Sequence, residues 1–242
     1  MPQEIHYIYN TRARMSIITD LRNLLLPRIC PVCGQLMMEG EDVLCAYCAI
    51  QMPRVRILNT ADNRMTRMLW DTVNVRHAYS YMSYNRFSPY HKLVTGIKYG
   101  GFTDRGIYLG RWAALAGQKV GIWEHADALV PVPLSFWRRL ERGYNQAEVI
   151  ARGMSDVCGL PVVNLLKRKR YRTSQTHLNA VQRRENARGT FEAHIPEEWR
   201  GKRFMLVDDV MTTGATLANC ALALQQADEQ AEISVFPLSL DV

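Results

Sequence analysis

Long apolar runs are missing from this chain: no stretch approaches the roughly 20 residues that a membrane-spanning helix requires, so insertion into a bilayer is not expected. A secretion signal is missing too. Arg12 and Arg14 precede an apolar stretch, but Thr19, Asp20, Arg22 and Asn23 interrupt it and no small-residue cleavage site follows, which points to the cytoplasm. The string G-x4-G-K-[ST] does not occur, which argues against a P-loop nucleotidase, and G-x-G-x-x-G does not follow an early strand, which argues against a dinucleotide-binding fold. Histidine is scarce, and its 6 copies show no paired metal spacing, so they read as incidental. There is no internal repeat and no low-complexity tract.

What is present suits a soluble globular protein. The chain has 242 residues, 48% hydrophobic and 22% charged, enough for one large domain with an appendage. Disorder, collagen and coiled-coil readings fall away. The net charge of +7 is local: residues 137–188 hold 12 of the 30 basic residues but 4 of the 23 acids. Such a block attracts phosphate, either from a small phosphorylated substrate or from a nucleic-acid backbone; the plain alternative is a solvated face.

Six cysteines divide into a cluster and two singles. Cys30, Cys33, Cys45 and Cys48 read C-x2-C-x11-C-x2-C, a spacing that brings two tight knuckles onto one ion and completes the tetrahedron of thiolates that Zn²⁺ prefers. Pro31 and Gly34 suit a knuckle turn, and Gly40 lies between the pairs. Two disulfides or an iron–sulfur cluster are the competing readings; paired knuckles and the missing secretion signal favour zinc, in a closed structural site. Cys158 and Cys220 lie in apolar helical patterns and read as core residues.

Along the chain, residues 1–29 read as a leader with a short helix bearing Ile17, Ile18, Leu21, Leu24 and Leu25 on one face. A zinc-ribbon module occupies 30–55, a polar connector follows Pro53, and the main domain runs over 75–242. Residues 77–84 alternate as a half-buried strand. Tyr90, Leu93, Val94 and Ile97 predict a helix ending at Gly100-Gly101, and a second helix is expected over 105–117. Strands are expected at 126–133, 161–166, 204–207 and 233–238. Asn145, with Glu148 three residues on, resembles a capping box opening a helix, and another helix is expected over 214–226. This alternation implies a mostly parallel sheet flanked by helices, an α/β fold.

The segment FMLVDDVMTTGATL, residues 204–217, carries the chemistry. An apolar strand delivers Asp208 and Asp209 to the carboxyl edge of the sheet, where open parallel sheets bind ligands. Thr212, Thr213, Gly214, Ala215 and Thr216 then bring backbone N–H groups and hydroxyls together at a helix N-terminus, a site for a phosphate dianion. Each such contact contributes only ~0.3–1 kcal/mol when exposed, so several donors must act together. The carboxylates repel phosphate but accept hydrogen bonds from a vicinal diol and can hold Mg²⁺, so a ribose 5-phosphate satisfies both halves. An ordinary strand and turn, with the acids as a helix cap, is the plain alternative.

Four apolar residues, two acids and a Thr/Gly-rich loop resemble the signature of the type I phosphoribosyltransferase superfamily. Residues 130–148 (VPVPLSFWRRLERGYNQAE), 175–191 (QTHLNAVQRRENARGTF) and the signature, together with the upstream cysteine pairs, are similar to the ComF-type family of competence-associated, phosphoribosyltransferase-like proteins. That resemblance implies a type I phosphoribosyltransferase-like domain behind a small N-terminal zinc ribbon. It further implies binding of phosphoribosyl pyrophosphate (PRPP), or another phosphorylated ribose, with Mg²⁺, and transfer or cleavage of the phosphoribosyl group in DNA uptake or nucleotide metabolism. Asp208 and Asp209 would take the ribose hydroxyls, directly or through Mg²⁺, and Met211, Thr212, Thr213, Gly214, Ala215 and Thr216 the 5-phosphate. Val132 and Pro133 would contact PRPP, and Pro133 to Arg139 would form the loop that faces pyrophosphate.

Members acting on 6-oxopurines carry an aspartate where this chain has Thr212, a poor general base, which disfavours that subgroup. Trp137 and His177 stand where the family usually has a basic residue and a glycine. Charge develops on the departing pyrophosphate as the anomeric bond breaks, so Arg138, Arg139, Arg142 and Arg183 are candidates to stabilise it. A loop matching 172–188 would close over the site and exclude water. Lys98 also matches a family position. Asn145 and Gln146 read as helix cap and first-turn residues, and Gln175 and Asn186 as loop hydrogen-bonding residues. The competing expectation is a non-catalytic accessory protein of the DNA-uptake machinery that binds single-stranded nucleic acid and other competence proteins.

Overall fold

The computed structural model describes residues 27–169 and 189–241. The expected leader helix, with Ile17 to Leu25, and the loop residues Arg172 to Arg188, including Gln175, His177, Arg183 and Asn186, therefore lie outside the described residues.

Four parallel strands form the sheet. They are β1 (Met82–Tyr84), β2 (Ala128–Pro131), β5 (Arg203–Met211) and β6 (Glu232–Asp241), in the order β1-β6-β5-β2. A separate antiparallel pair joins β3 (Leu166–Arg168) to β4 (Phe191–Ala193). The helices are α1 (Ala46–Ile50), α2 (Arg64–Trp70), α3 (His91–Tyr99), α4 (Thr103–Gln118), α5 (Phe136–Arg142), α6 (Gln146–Cys158) and α7 (Ala215–Ala227).

Strand β5 reads as a continuous apolar run because both of its faces are covered, as in parallel sheets generally. Its alternation divides the core. Phe204 and Leu206 join Ile233 and Val235 of β6 against Met65 and Leu69 of α2 and Leu217, Ala221 and Leu224 of α7. Met205 and Val207 join Phe236 and Leu238 against Leu93 and Ile97 of α3, Leu109 and Ala113 of α4, and Ile150 and Met154 of α6. The result is a three-layer α/β arrangement. Crossing of α4 and α6 is close because glycines face each other's backbone: a Cβ on Gly110 would lie 2.3 Å from the Ile150 carbonyl oxygen, and one on Gly153 would lie 2.2 Å from that of Ile107.

Several elements differ from the sequence reading. The polar connector after Pro53 contains α2, started by a capping box in which Asn63 accepts from Thr66 N–H and Thr66 returns the bond. Met65 and Leu69 are fully buried in the sheet's core, so this stretch belongs to the main body. The strand expected at 161–166 contracts to a parallel bridge between Val162 and Leu129. Asn145 does cap α6, but Glu148 is not the reciprocal arm of a box, since its carboxylate accepts from Arg152 at 2.6 Å. Strand β5 continues through the two acids to Met211.

The four-cysteine segment packs into the same apolar cluster as the sheet: Cys30, Val32, Leu44, Cys45 and Cys48 share it with Tyr79, Met205 and Phe236. Tyr90 Oη donates to the Cys48 carbonyl at 2.9 Å. At the end of the module, residues 53–55 run antiparallel to the outer edge of β1, with Val55 N–H on Tyr81 O at 3.1 Å and Ser83 N–H on Pro53 O at 2.7 Å.

Candidate functional site

The carboxyl end of β5 presents two acids in succession. Asp209 N–H donates to Asp208 Oδ1 at 2.8 Å, and Ser239 of β6 donates its hydroxyl to the Asp209 carbonyl at 2.8 Å. Both side chains are partly buried. Burial and then the neighbouring Asp209 carboxylate push Asp208 up to about 8, against the pull of the Asp209 N–H, Lys98 and Arg168. Near neutral pH Asp208 therefore keeps a proton, and the pair is a place where a cation could take that proton's position or a hydroxyl-rich ligand could bond. Lys98, in the last turn of α3, places Nζ 3.1 Å from Asp209 Oδ2.

The loop after the acids turns on Gly214, whose φ of +77° only glycine adopts without strain. Gly214 also has no room for a side chain, since a Cβ would lie 2.9 Å from Leu69 of α2 and 2.9 Å from Met211. The helix missed in the connector thus supports the loop from below. Thr212, Thr213, Ala215 and Thr216 are exposed, and Thr213 Oγ1 accepts from Ala215 N–H at 3.5 Å. Small exposed hydroxyls at the N-terminus of the 13-residue α7 give the surface a phosphate requires.

Opposite this loop, Val132 is buried and donates its N–H to Val207 O at 2.9 Å, while its carbonyl accepts from Asn145 Nδ2 at 3.0 Å. Asn145 therefore does more than cap α6; it ties the end of β2 to the helix start. The segment expected as a loop from Pro133 to Arg139 contains α5, which buries none of its residues. Its side chains alternate between cations and apolar groups: Arg138 and Arg139 are exposed, and so are Trp137 at 76% and Leu140 at 68%. Arg142 lies over the Tyr99 ring at 4.9 Å, linking α5 to the end of α3.

Sequence reasoning missed three participants. Arg168 on β3 lies within electrostatic reach of Asp208 and Arg138, and burial followed by the Arg138 charge holds its guanidinium below the ordinary value. Its presence in the basic window was the available signal. Gln146 is 1% exposed, and neither its Oε1 nor its Nε2 has a partner among the described residues. Glu41 is buried at the cysteine module, where its carboxylate accepts from Met38 N–H at 2.7 Å and Ala46 N–H at 2.6 Å and so joins the two knuckles.

All six cysteines are free thiols. The sulfurs of Cys30, Cys33, Cys45 and Cys48 lie within 4.8 Å of one another, and the Cys33 and Cys45 sulfurs are 3.7 Å apart. A tetrahedron with Zn–S of ~2.3 Å has an edge of about 3.8 Å, so the spacing suits zinc. Although burial pushes Cys30 up, the N–H groups of Cys45, Cys33 and Val32 draw it down to about 7. Burial, followed by the Cys45, Cys33 and Cys30 sulfurs, pushes Cys48 up. One thiol ready to ionise among others that resist it is the behaviour of a ligand set that a dication would neutralise.

No helix among the described residues is long and apolar enough to cross a membrane. No family model matches the chain. Among curated proteins it is 36% identical over 115 residues to competence protein F of Haemophilus influenzae, covering 47% of this chain and 50% of that one. It is 26% identical over 230 residues to competence protein ComFC of Bacillus subtilis, covering 95% and 82%. It is 32% identical over 99 residues to the DNA utilization protein YhgH of Escherichia coli K12, covering 40% and 43%. The chain thus spans half of the Haemophilus protein and less than half of the Escherichia one. Among solved structures, the glutamine PRPP amidotransferase of B. subtilis complexed with ADP and GMP is 16% identical at a TM-score of 0.40, covering 59% of this chain and 30% of that one. A purine phosphoribosyltransferase of Pyrococcus horikoshii is 18% identical at a TM-score of 0.30, covering 57% and 79%. The chain is thus similar in sequence to competence proteins of the ComF type.

Proposed function

We propose that this ComF-type chain binds PRPP with Mg²⁺ and transfers or cleaves its phosphoribosyl group, with a structural zinc in the four-cysteine module. The observation that carries the reading is one continuous strand-to-helix turn: two acids at the end of β5, then exposed threonine hydroxyls and amides at the start of α7. The sugar's diol would lie on Asp208 and Asp209 and its 5-phosphate in the loop from Met211 to Thr216. That places the anomeric carbon toward Val132, Pro133 and α5. Arg138, Arg139, Arg142 and Arg168 would offer cations to a departing pyrophosphate, the kind of charge that lowers such barriers. Arg183 belongs to the same role in this reading. Mg²⁺, when bound through the substrate, supplies further neutralisation of the leaving group.

Calorimetry with PRPP and Mg²⁺ tests it on the full chain and on an Asp208→Asn, Asp209→Asn double variant. Binding by the native chain and its loss in the variant is expected; equal binding by both, or none by either, overturns the assignment.

A second reading draws support from α5. Exposed Phe136, Trp137 and Leu140 interleaved with Arg138 and Arg139 present stacking faces beside phosphate-binding cations, the combination by which single strands are held. A single-stranded nucleic acid handed on within the DNA-uptake machinery would suit it. Affinity for a single-stranded DNA oligomer should then fall with salt at a log-log slope of about −0.7 per phosphate neutralised, and Trp137→Ala should weaken it. A salt-independent affinity rejects this reading.

A further inference from the structure

The ion pair between Lys98 and Asp209 differs from the chain's surface pairs in its setting. Its side chains are 25% and 15% exposed, whereas Arg76–Glu232 and Arg111–Asp156 are about half exposed on both sides. The backbone beneath Lys98 is clamped: Leu93, Val94 and Ile97 of α3 are buried, and the Tyr144 hydroxyl donates to the Ile97 carbonyl at 2.5 Å. Asp209 is clamped as well, through its N–H and its carbonyl. What is left free to move is the lysine stem, which ends on the carboxylate at the point where β5 meets the loop.

We propose that Lys98 is a tethered counter-ion standing in the place of a divalent metal at the Asp208–Asp209 pair, so that metal engages these carboxylates only when the lysine lets go. An ammonium and a metal ion draw on the same carboxylate lone pairs. Mg²⁺ approaches oxygen to about 2.0–2.1 Å and demands near-octahedral surroundings, which a cation already seated 3.1 Å from Asp209 Oδ2 opposes by charge and by volume. Its consequence is selectivity in loading. The bare ion finds the acids already neutralised, whereas an ion arriving on a pyrophosphate brings negative charge to which the freed ammonium can turn. The inference rests on the function proposed above and adds that the metal reaches the acid pair itself, but its test needs no sugar phosphate.

Mn²⁺ serves as the probe, read from the electron paramagnetic resonance of the free ion, with the full chain loaded with zinc beforehand. The proteins compared are the native chain, Lys98→Met, Lys98→Arg, and Lys98→Met combined with Asp209→Asn. Lys98→Met should bind Mn²⁺ about tenfold more tightly than the native chain, since a like charge beside the ion has gone. Lys98→Arg should stay near native, and adding Asp209→Asn should erase the gain. Thermal melts verify folding, with Lys98→Gln taking the place of a methionine variant that fails to fold. Equal Mn²⁺ affinity in native and Lys98→Met chains, or a gain that survives Asp209→Asn, overturns the proposal. PRPP calorimetry separates the two ideas: no PRPP binding alongside the expected Mn²⁺ series removes the proposed function and leaves the counter-ion in place, and the converse removes the counter-ion alone.

Discussion

Replacing Gly153 by alanine should loosen the contact on which the α3, α4 and α6 layer depends. The new methyl would sit 2.2 Å from the Ile107 carbonyl oxygen and 2.8 Å from its carbon. Both are backbone atoms, so no rotamer relieves the clash. Helices α4 and α6 would have to separate by about 1 Å, a gap that forfeits a quarter to a half of the dispersion energy along the seam. Overpacking costs ~1–3 kcal/mol, and a clash against backbone belongs at the upper end of that range. Alanine returns about 1 kcal/mol through its better helix propensity, leaving a net loss of about 2 kcal/mol. For a chain of this size that lowers the melting temperature by roughly 4–8 °C, measurable by circular dichroism. Gly110→Ala, whose methyl would lie 2.3 Å from the Ile150 oxygen, should cost a similar amount. The double variant should lose less than the sum, by about 1 kcal/mol, because the first separation makes room for the second. An unchanged or raised melting temperature for Gly153→Ala, or strictly additive losses, would refute the reasoning.

Three further outcomes are expected. Gln146→Met keeps the volume of a buried side chain and removes two polar atoms that have no partner among the described residues, so it should stabilise the fold by ~1–3 kcal/mol; a lowered melting temperature would show that the amide has a partner. Asp127 is held below the ordinary carboxylate range, chiefly by hydrogen bonding from Arg203, whose Nη2 lies 2.7 Å from Asp127 Oδ1. A depressed folded value means that the stabilisation is present above the unfolded value near ~3.9 and is lost as pH falls through the folded one, so Asp127→Asn should flatten the acid limb of a stability–pH profile; an unaltered limb would discount the pair. Stripping metal from the cysteine module should abolish more than local order: near-ultraviolet dichroism from Trp123, stacked on Phe236 at 5.3 Å, should collapse together with release of zinc to a colorimetric chelator. Retention of that signal after release would uncouple the module from the sheet.

The sheet, the acid pair and the threonine loop were legible in the sequence because each rests on local pattern: an apolar run, adjacent charges, small residues before a helix. Helix α2 was hidden because it has seven residues and three that are buried, Met65, Thr66 and Leu69, too brief a stripe among polar neighbours to show a period. Helix α5 was hidden for a related reason: Phe136, Trp137 and Leu140 fall at helical spacing, but seven residues rich in charge and with none buried give too short a stripe to tell from a loop. The roles of Lys98 and Arg168 depend on which chain segments meet across the carboxyl edge of the sheet. Spacing along the sequence carries no record of that, although both residues stood in segments already singled out. Gln146 looked like a first-turn residue and is one; its burial is a property of the packed molecule alone.

Residues 53–55 act as a hem along the outer margin of the sheet, and this binds the fate of the two parts of the molecule together. Trimming the chain to the body that carries the sheet would strip that hem and leave a bare row of amides and carbonyls along β1, the kind of margin that recruits neighbouring chains. A shortened version should therefore clump rather than persist as a smaller monomer.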